Sequence, residues 1–271
     1  MDNKEYFINH PSVYMHTSPD IASEVCDELL YGTTLKKIAM YAEYFRCETS
    51  YGYSGYVHER YLYEKDIIND AKPYIVTSPC CDLLTDSVYR YRPVVTLSRG
   101  SIIYSNHSLS HSDRFFSVMH RKHRCFVPSY AVKPYEPTEF VSESRVSDLR
   151  KKICDDALFY LGTPYRWGGK SSFGIDCSGL CFMTYFLNGL PLWRDSYADT
   201  RYVHEISPDR ALQGDIIYFN GHAAIYIGDG EYVHSSASAG CVTVNSLRKS
   251  SIIYREDLAN KVVCFARSNY L

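Results

Sequence analysis

The sequence predicts an α+β chain in which a β-rich N-terminal half leads, through a short linker, into a domain with its helices first and its strands after. Three observations predict this. Short apolar and β-branched runs punctuated by glycine fill residues 1–66. A weaker echo of them returns about 68–70 residues later. Beyond residue 146 the apolar period becomes that of a helix, and from Asp215 it returns to that of strands.

The first module, residues 1–66, contains the runs Ser12–Met15, Thr34–Ala39, Phe45–Thr49 and Gly55–His58, with Gly32, Gly52 and Gly55 as the turns and bulges of a small antiparallel barrel. In the second, residues 67–132, Leu97–Gly100 with Ile102 echoes Leu30–Gly32 with Leu35. Phe115–Val118 echoes Tyr44–Cys47, and Phe126-Val127 before Tyr130 echoes Tyr56-Val57 before Tyr61. Residues 133–146 hold two prolines in a polar, aperiodic run and read as a linker. The third domain, 147–271, opens with Leu149, Ile153, Ala157, Tyr160 and Leu161 on one face of a helix from Ser147, stopped by Gly162-Thr163-Pro164. A second helix begins near Asp176-Cys177 and ends at Asn188-Gly189. Strands follow at Ile216–Phe219, Ala223–Ile227 and Tyr232–His234, with a turn at Gly228-Asp229-Gly230.

Composition removes several classes of function. Among 271 residues, 29 Lys and Arg stand against 31 Asp and Glu, so the chain presents no basic surface for nucleic acid or anionic membrane. No apolar run approaches the roughly 20 residues that span a bilayer. The first ten residues lack the basic, apolar and small-residue pattern of a secretion signal, so a cytoplasmic location is expected, with export as the alternative. Ten scattered cysteines read as reduced thiols. Tyr is abundant, at 26 residues, which suits half-buried strands and clefts for polar ligands.

The chemistry concentrates around Cys177. A cysteine in the first turn of a helix meets unpaired N–H groups and the helix dipole, so its thiol pKa is expected to fall from about 8.5 to roughly 3.5–7.5. Such a nucleophile needs a base, and the base needs a third group to orient it. His222 and His234, 45 and 57 residues downstream, supply both in one hairpin register. With a three-residue loop Gly228–Gly230, Ile227 pairs with Glu231 and His234 lies opposite Ala224, on the His222 face. With the two-residue loop Asp229-Gly230, His234 faces away. A zinc site of Cys177, Cys181, His222 and His234 is the competing reading, although it lacks a short Cys-x-x-Cys knuckle. The other histidines (10, 16, 58, 107, 111, 120, 123, 204) have no comparable setting, and those from 107 to 123 read as a solvated loop.

These motifs carry a resemblance. Pro164–Gly169, Asp176–Leu180, Leu192–Ser196, Gly214–Phe219 and the stretch from His222 to His234 resemble the catalytic domain of NlpC-type papain-like cysteine peptidases. Those enzymes cut bacterial murein peptides between D-glutamate and the next diamino acid. Gly52–Leu62 resembles bacterial SH3-like modules, and the second module matches them only in degenerate form. The resemblance implies a papain-like α+β domain preceded by two SH3-like barrels. It implies Cys177 as nucleophile, His222 as general base and then acid, His234 as its orienting partner, and Tyr165 at the oxyanion together with the Cys177 N–H.

Trp167, Asp176, Ser178, Asp195 and Ser196 would line the cleft, with Trp167 as simple core and Asp176 as a mere helix cap the bland alternatives. Tyr53 with Glu24 or Asp20 would hold the free amine of an L-Ala-γ-D-Glu-diamino acid peptide. Trp193 stands where the family commonly has Pro, and Ala223-Ala224 where Val-Gly is usual. No metal or organic cofactor, nucleic acid or membrane is implied. The expected activity is γ-D-glutamyl-diamino acid endopeptidase in murein peptide recycling. A catalytically silent murein-binding scaffold and an amidase or acyltransferase on the same Cys-His dyad are the alternatives.

Overall fold

A computed structural model describes residues 5–64, 71–87, 92–106, 114–138 and 141–271. Two compact units divide at Glu136/Pro137.

The first unit is β throughout. Its leading sheet has the order β3-β2-β6-β5-β4-β1-β7, formed by β1 (Glu5–Ile8), β2 (Ser12–His16), β3 (Val25–Leu30), β4 (Thr34–Tyr41), β5 (Tyr44–Thr49), β6 (Ser54–His58) and β7 (Leu62–Glu64). The four expected strands are present as β2, β4, β5 and β6. The expectation missed β3, where the charges of Asp27 and Glu28 disguise two fully buried positions. Both are hydrogen-bonded, Asp27 by the Tyr51 hydroxyl and Glu28 by the Ser12 hydroxyl, as buried carboxylates require. Ile8, Val13, Met15, Leu29, Leu35, Cys47 and Val57 form the core of this sheet.

The remaining strands of the unit are β8 (Lys72–Val76), β9 (Cys80–Leu84), β10 (Pro93–Ser98), β11 (Ile102–Ser105), β12 (Phe115–His120), β13 (His123–Pro128) and β14 (Val132–Pro134). They make sheets of order β10-β9-β13-β12 and β11-β8-β14. A one-turn 3-10 helix follows β6 and another follows β13, so the order strand, short helix, strand recurs in both parts. Tyr31, from the β3–β4 turn, belongs to the second core, and its hydroxyl lies 3.1 Å from His120 Nδ1. His120 is therefore a buried strand residue, which corrects the solvated-loop reading of this stretch; His107 and His111 lie outside the described residues. Gly32 permits the junction: its φ is +81°, and a Cβ there would sit 2.0 Å from the Ile102 carbonyl oxygen.

The second unit opens with α1 (Glu143–Phe159), which starts four residues before Ser147 and takes up the end of the expected linker. Ile153, Ala157 and Tyr160 are buried as the helical face predicts. Leu161 is not, because the helix ends before it and Gly162 (φ +79°) turns the chain away. After the short hairpin β15 (Lys170–Ser171) and β16 (Gly174–Ile175) comes α2 (Cys177–Phe186), with Gly189 left-handed beyond its end. Cys177 through Tyr185 are all buried, because the uncharged α2 packs on α1 and on a six-stranded antiparallel sheet.

That sheet has the order β17-β22-β18-β19-β20-β21, from β17 (Val203–Ile206), β18 (Ile216–Phe219), β19 (His222–Gly228), β20 (Glu231–Ser236), β21 (Cys241–Ser246) and β22 (Val262–Ser268), with the short α3 (Glu256–Ala259) before β22. Asp215, fully buried, takes Arg150 of α1 and Arg267 of β22 at 2.8 Å each, so helix and sheet are joined beneath the strands that carry the histidines.

Candidate active site

Asp176 caps α2. Its Oδ1 accepts the Gly179 N–H at 2.5 Å, which makes Cys177 the first helical residue. Gly179 is obligatory in practice, since a Cβ there would lie 2.2 Å from the Gly169 carbonyl oxygen; the start of α2 thus rests backbone to backbone on the Trp167–Gly169 turn. Cys177 is 8% exposed. The N–H groups of Ala223 and Ser178 favour its thiolate, but burial, with the Asp176 charge added, outweighs them and pushes the thiol up to about 11. The expected acidic thiol is corrected: the helix N-terminus is present, but water is largely excluded from it.

His222 begins β19, immediately before the Ala223 N–H that faces the thiol. Burial above all, then His234, Arg255 and Lys261, pulls its imidazole down to about 3. His222 Nε2 lies 2.8 Å from Nδ1 of His234, whose residue is only 1% exposed. This leaves His222 Nδ1 as the ring nitrogen available to a thiol proton. His234 Nε2 in turn lies 2.8 Å from Asn245 Oδ1, and Asn245 Nδ2 donates to the Ile253 carbonyl at 3.1 Å. Burial lowers the His234 pKa, with Asn245 opposing.

The register that joins the histidines is reached by a different turn from the one expected. Gly228 pairs with Glu231 across the two-residue turn Asp229-Gly230, both left-handed, and the pairing then shifts so that Tyr226 faces Tyr232 and Ile225 faces Val233. The extra residue is Ile227. Such a bulge restores the parity that a two-residue turn alone would break, and the continuing register sets His234 opposite Ala224.

Around this pair lies a second network. Arg194, 2% exposed, donates to both carboxylate oxygens of Asp176 (3.0 and 2.9 Å) and to Ser178 Oγ (2.9 Å). Asp176 is thus a cap and an ion-pair partner, and Ser178 is held between Asp176 and Arg194. Arg194 itself was missed as a site residue; the signal was a lone Arg in an otherwise apolar stretch after α2. Tyr165 makes a bridge to Ile175, and its hydroxyl pKa is raised to about 12 by burial and by the nearby Cys177 and Asp176. Trp167 is 62% exposed, which excludes the simple-core alternative. Asp195 and Ser196 are half-buried after Arg194. Trp193 stacks on Tyr202 at 6.3 Å, with the Arg201 guanidinium 4.8 Å from its ring.

The zinc set does not converge: among the described residues no three His, Cys, Asp or Glu side chains are arranged to hold a metal ion. Tyr53, Glu24 and Asp20 belong to the first unit. There Tyr53 packs on the first core, Glu24 is exposed, and Asp20 Oδ1 accepts the Ala22 N–H at 2.9 Å in its own turn.

The chain is similar to proteins already known. Residues 162–259 match the NlpC/P60 family. A protein of Lysinibacillus sphaericus named dipeptidyl-peptidase 6 is 32% identical over 262 residues, 92% of this chain and 93% of its own. A Bacillus subtilis protein named gamma-D-glutamyl-L-lysine dipeptidyl-peptidase is 28% identical over 48% of this chain and 46% of its own length. The crystal structure of an NlpC/P60 family protein from Bacillus cereus superimposes with a TM-score of 0.80 over 98% of this chain and 99% of that one, at 19% identity, which speaks for the fold.

Proposed function

Since this chain belongs to the NlpC/P60 family and is a cysteine peptidase of the papain-like fold, we propose that it cuts the γ-D-glutamyl bond to the diamino acid in small murein peptides with a free N-terminal L-Ala. The observation that carries the reading is the His222–His234 pair, joined at 2.8 Å, with His222 next in sequence to Ala223, whose N–H meets the Cys177 thiol. In the relative from Bacillus subtilis the name itself specifies a γ-D-glutamyl-L-lysine bond.

In this reading both partners rest uncharged near neutral pH, because burial holds the thiol near 11 and the imidazole near 3. Proton transfer from Sγ to His222 Nδ1 therefore accompanies attack on the γ-carbonyl. The tetrahedral oxyanion is met by the Cys177 N–H and the Tyr165 hydroxyl; each such donor typically contributes about 10²–10³ in kcat. His222 then gives its proton to the departing amine, and water, activated by the same nitrogen, releases the thioester. Trp167 offers an exposed ring to the substrate, with Asp195 and Ser196 completing the cleft. The N-terminal parts act as SH3-like modules, with Tyr53 and an acidic neighbour (Glu24 or Asp20) receiving the substrate amine. Recycling of free peptides places the reaction in the cytoplasm.

Mass spectrometry of L-Ala-γ-D-Glu-meso-diaminopimelate, with free and with acetylated amine, tests the proposal. Cleavage of the free-amine peptide alone, absent in Cys177→Ala, is expected. Cleavage of both removes the amine requirement, and cleavage of neither overturns the substrate assignment.

A further inference from the structure

We infer that Asn245 is a positioning residue that fixes which nitrogens of His234 and His222 carry protons, so that His222 presents a bare Nδ1 to the nucleophile. The inference rests on the proposed roles of Cys177 and His222. It concerns a residue two strands away from the general base, on β21.

The argument follows the direction of each hydrogen bond. The Ile253 carbonyl is an acceptor only, so the Asn245 group 3.1 Å from it is the amide NH2. The oxygen of that amide therefore faces His234 Nε2 at 2.8 Å, and an oxygen cannot donate. His234 must carry its proton on Nε2. Neutral His234 then has a lone pair on Nδ1, and the 2.8 Å contact to His222 Nε2 is made with the proton on His222. With Nε2 protonated, neutral His222 has its lone pair on Nδ1. All three bonds thus point one way, from the His222 ring toward the backbone at Ile253.

Removing the Asn245 oxygen releases this constraint. His234 is then free to hold its proton on Nδ1 and donate it to His222 Nε2. In that arrangement His222 Nδ1 is protonated and cannot accept from a thiol. A base held in the wrong tautomer with its geometry intact loses about 10⁴ in kcat in the serine protease triad. The strand register explains the reach: Asn245 faces Tyr232 across the β20–β21 pair and lies diagonal to His234. The backbone anchor belongs to the 247–255 connection, whose Tyr254 bridges Ser246 and whose Arg255 N–H returns to the Ser246 carbonyl. That connection holds the amide from the side away from the histidines.

The test compares Asn245→Leu, which removes the acceptor, with Asn245→Asp, which keeps one toward His234, and with Asn245→Ala should the leucine variant not fold. Long-range proton–nitrogen NMR spectra of the histidines read the tautomers without any substrate. Nε2–H on both rings is expected in the wild type and in Asn245→Asp, and its loss from His234 in Asn245→Leu or Asn245→Ala. Activity should follow: a fall of about 10²–10⁴-fold in kcat with KM within a few-fold for the acceptor-less variants, and recovery to within about 10-fold in Asn245→Asp. Unchanged tautomers in Asn245→Leu and Asn245→Ala, or unchanged kcat in either, overturn the inference. If the wild type cuts no murein peptide, the substrate reading fails alone, and the NMR result still decides the role of Asn245.

Discussion

Arg194 closes a two-point ion pair on Asp176, Nη1 at 3.0 Å from Oδ1 and Nη2 at 2.9 Å from Oδ2, directly beneath the first turn of α2. Both side chains are buried, so neither charge has water to fall back on. Breaking the pair from one side leaves the other stranded. Arg194→Leu is expected to destabilise the catalytic unit by about 3–5 kcal/mol, read as a large drop in the melting temperature of its thermal transition. Arg194→Lys should recover only part, because a single ammonium cannot match the two carboxylate oxygens and Ser178 together. A melting temperature unchanged in both variants contradicts this account.

The bulge at Ile227 is what puts two histidines on one face. It does so by absorbing one extra residue, so deleting Ile227 should keep Tyr226 facing Tyr232 and Ile225 facing Val233 and retain peptidase activity, whereas deleting Ala224, which changes the count between that pairing and His222, should turn the two histidines to opposite faces and abolish it. Activity assays on the two variants, with circular dichroism to confirm folding, separate register from the loss of a residue. Gly230→Ala adds a control in the same turn. Its φ of +75° and a Cβ 2.7 Å from Arg248 Cγ should cost about 1 kcal/mol without touching the histidines.

Stability should fall on both sides of neutrality. Burial lowers His222 from 6.5 to about 3, so the unfolded chain takes up that proton first as the pH drops. The contribution is complete above 6.5 and is lost as the pH falls toward 3. Burial raises Cys177 from 9.0 to about 11, so the unfolded chain releases its proton first; that contribution is complete below 9.0 and is lost as the pH rises toward 11. Melting temperatures measured from pH 4 to 10 should show both slopes. His222→Ala should flatten the acid side and Cys177→Ala the alkaline side. Slopes unaltered by either substitution argue against burial as the cause.

His234→Ala should lower kcat by about 10²–10³-fold with little change in KM, because the variant keeps the cleft but leaves the His222 ring unoriented. Steady-state kinetics on the same peptide checks this. Equal loss in kcat and gain in KM would point to substrate contact instead.

The legible parts of the site were those that depend on local pattern. An Asp-Cys-Ser-Gly run announces a capped helix with cysteine in its first turn, and the structure has it. The parity of the His222–His234 hairpin follows only from requiring the two histidines to work together, since side chains alternate strictly along a strand and the two loop lengths put His234 on opposite faces. Its turn was misread, because a two-residue turn plus a bulge and a plain three-residue loop leave the same register beyond them.

Asn245 and Arg194 were illegible for another reason. Each meets its partner across strands or across a helix end, at separations with no fixed period. The thiol pKa was misjudged because a helix N-terminus is visible in sequence, while the exclusion of water around it depends on Ala223, Tyr165 and α2 packing together. Buried Asp27 and Glu28 hid β3 in the same way: charge argues for surface until their hydroxyl partners, Tyr51 and Ser12, are in place.

The central claim is that the Cys177 sulfur carries the γ-glutamyl group between two half-reactions. Acid-quenched intact-protein mass spectrometry during turnover of L-Ala-γ-D-Glu-L-Lys tests it most directly. The account predicts a transient adduct of the L-Ala-γ-D-Glu acyl group, located by digestion to the peptide containing Cys177, removable by hydroxylamine and absent in Cys177→Ala. Undiminished turnover by Cys177→Ala, or an adduct on any other residue, would contradict it.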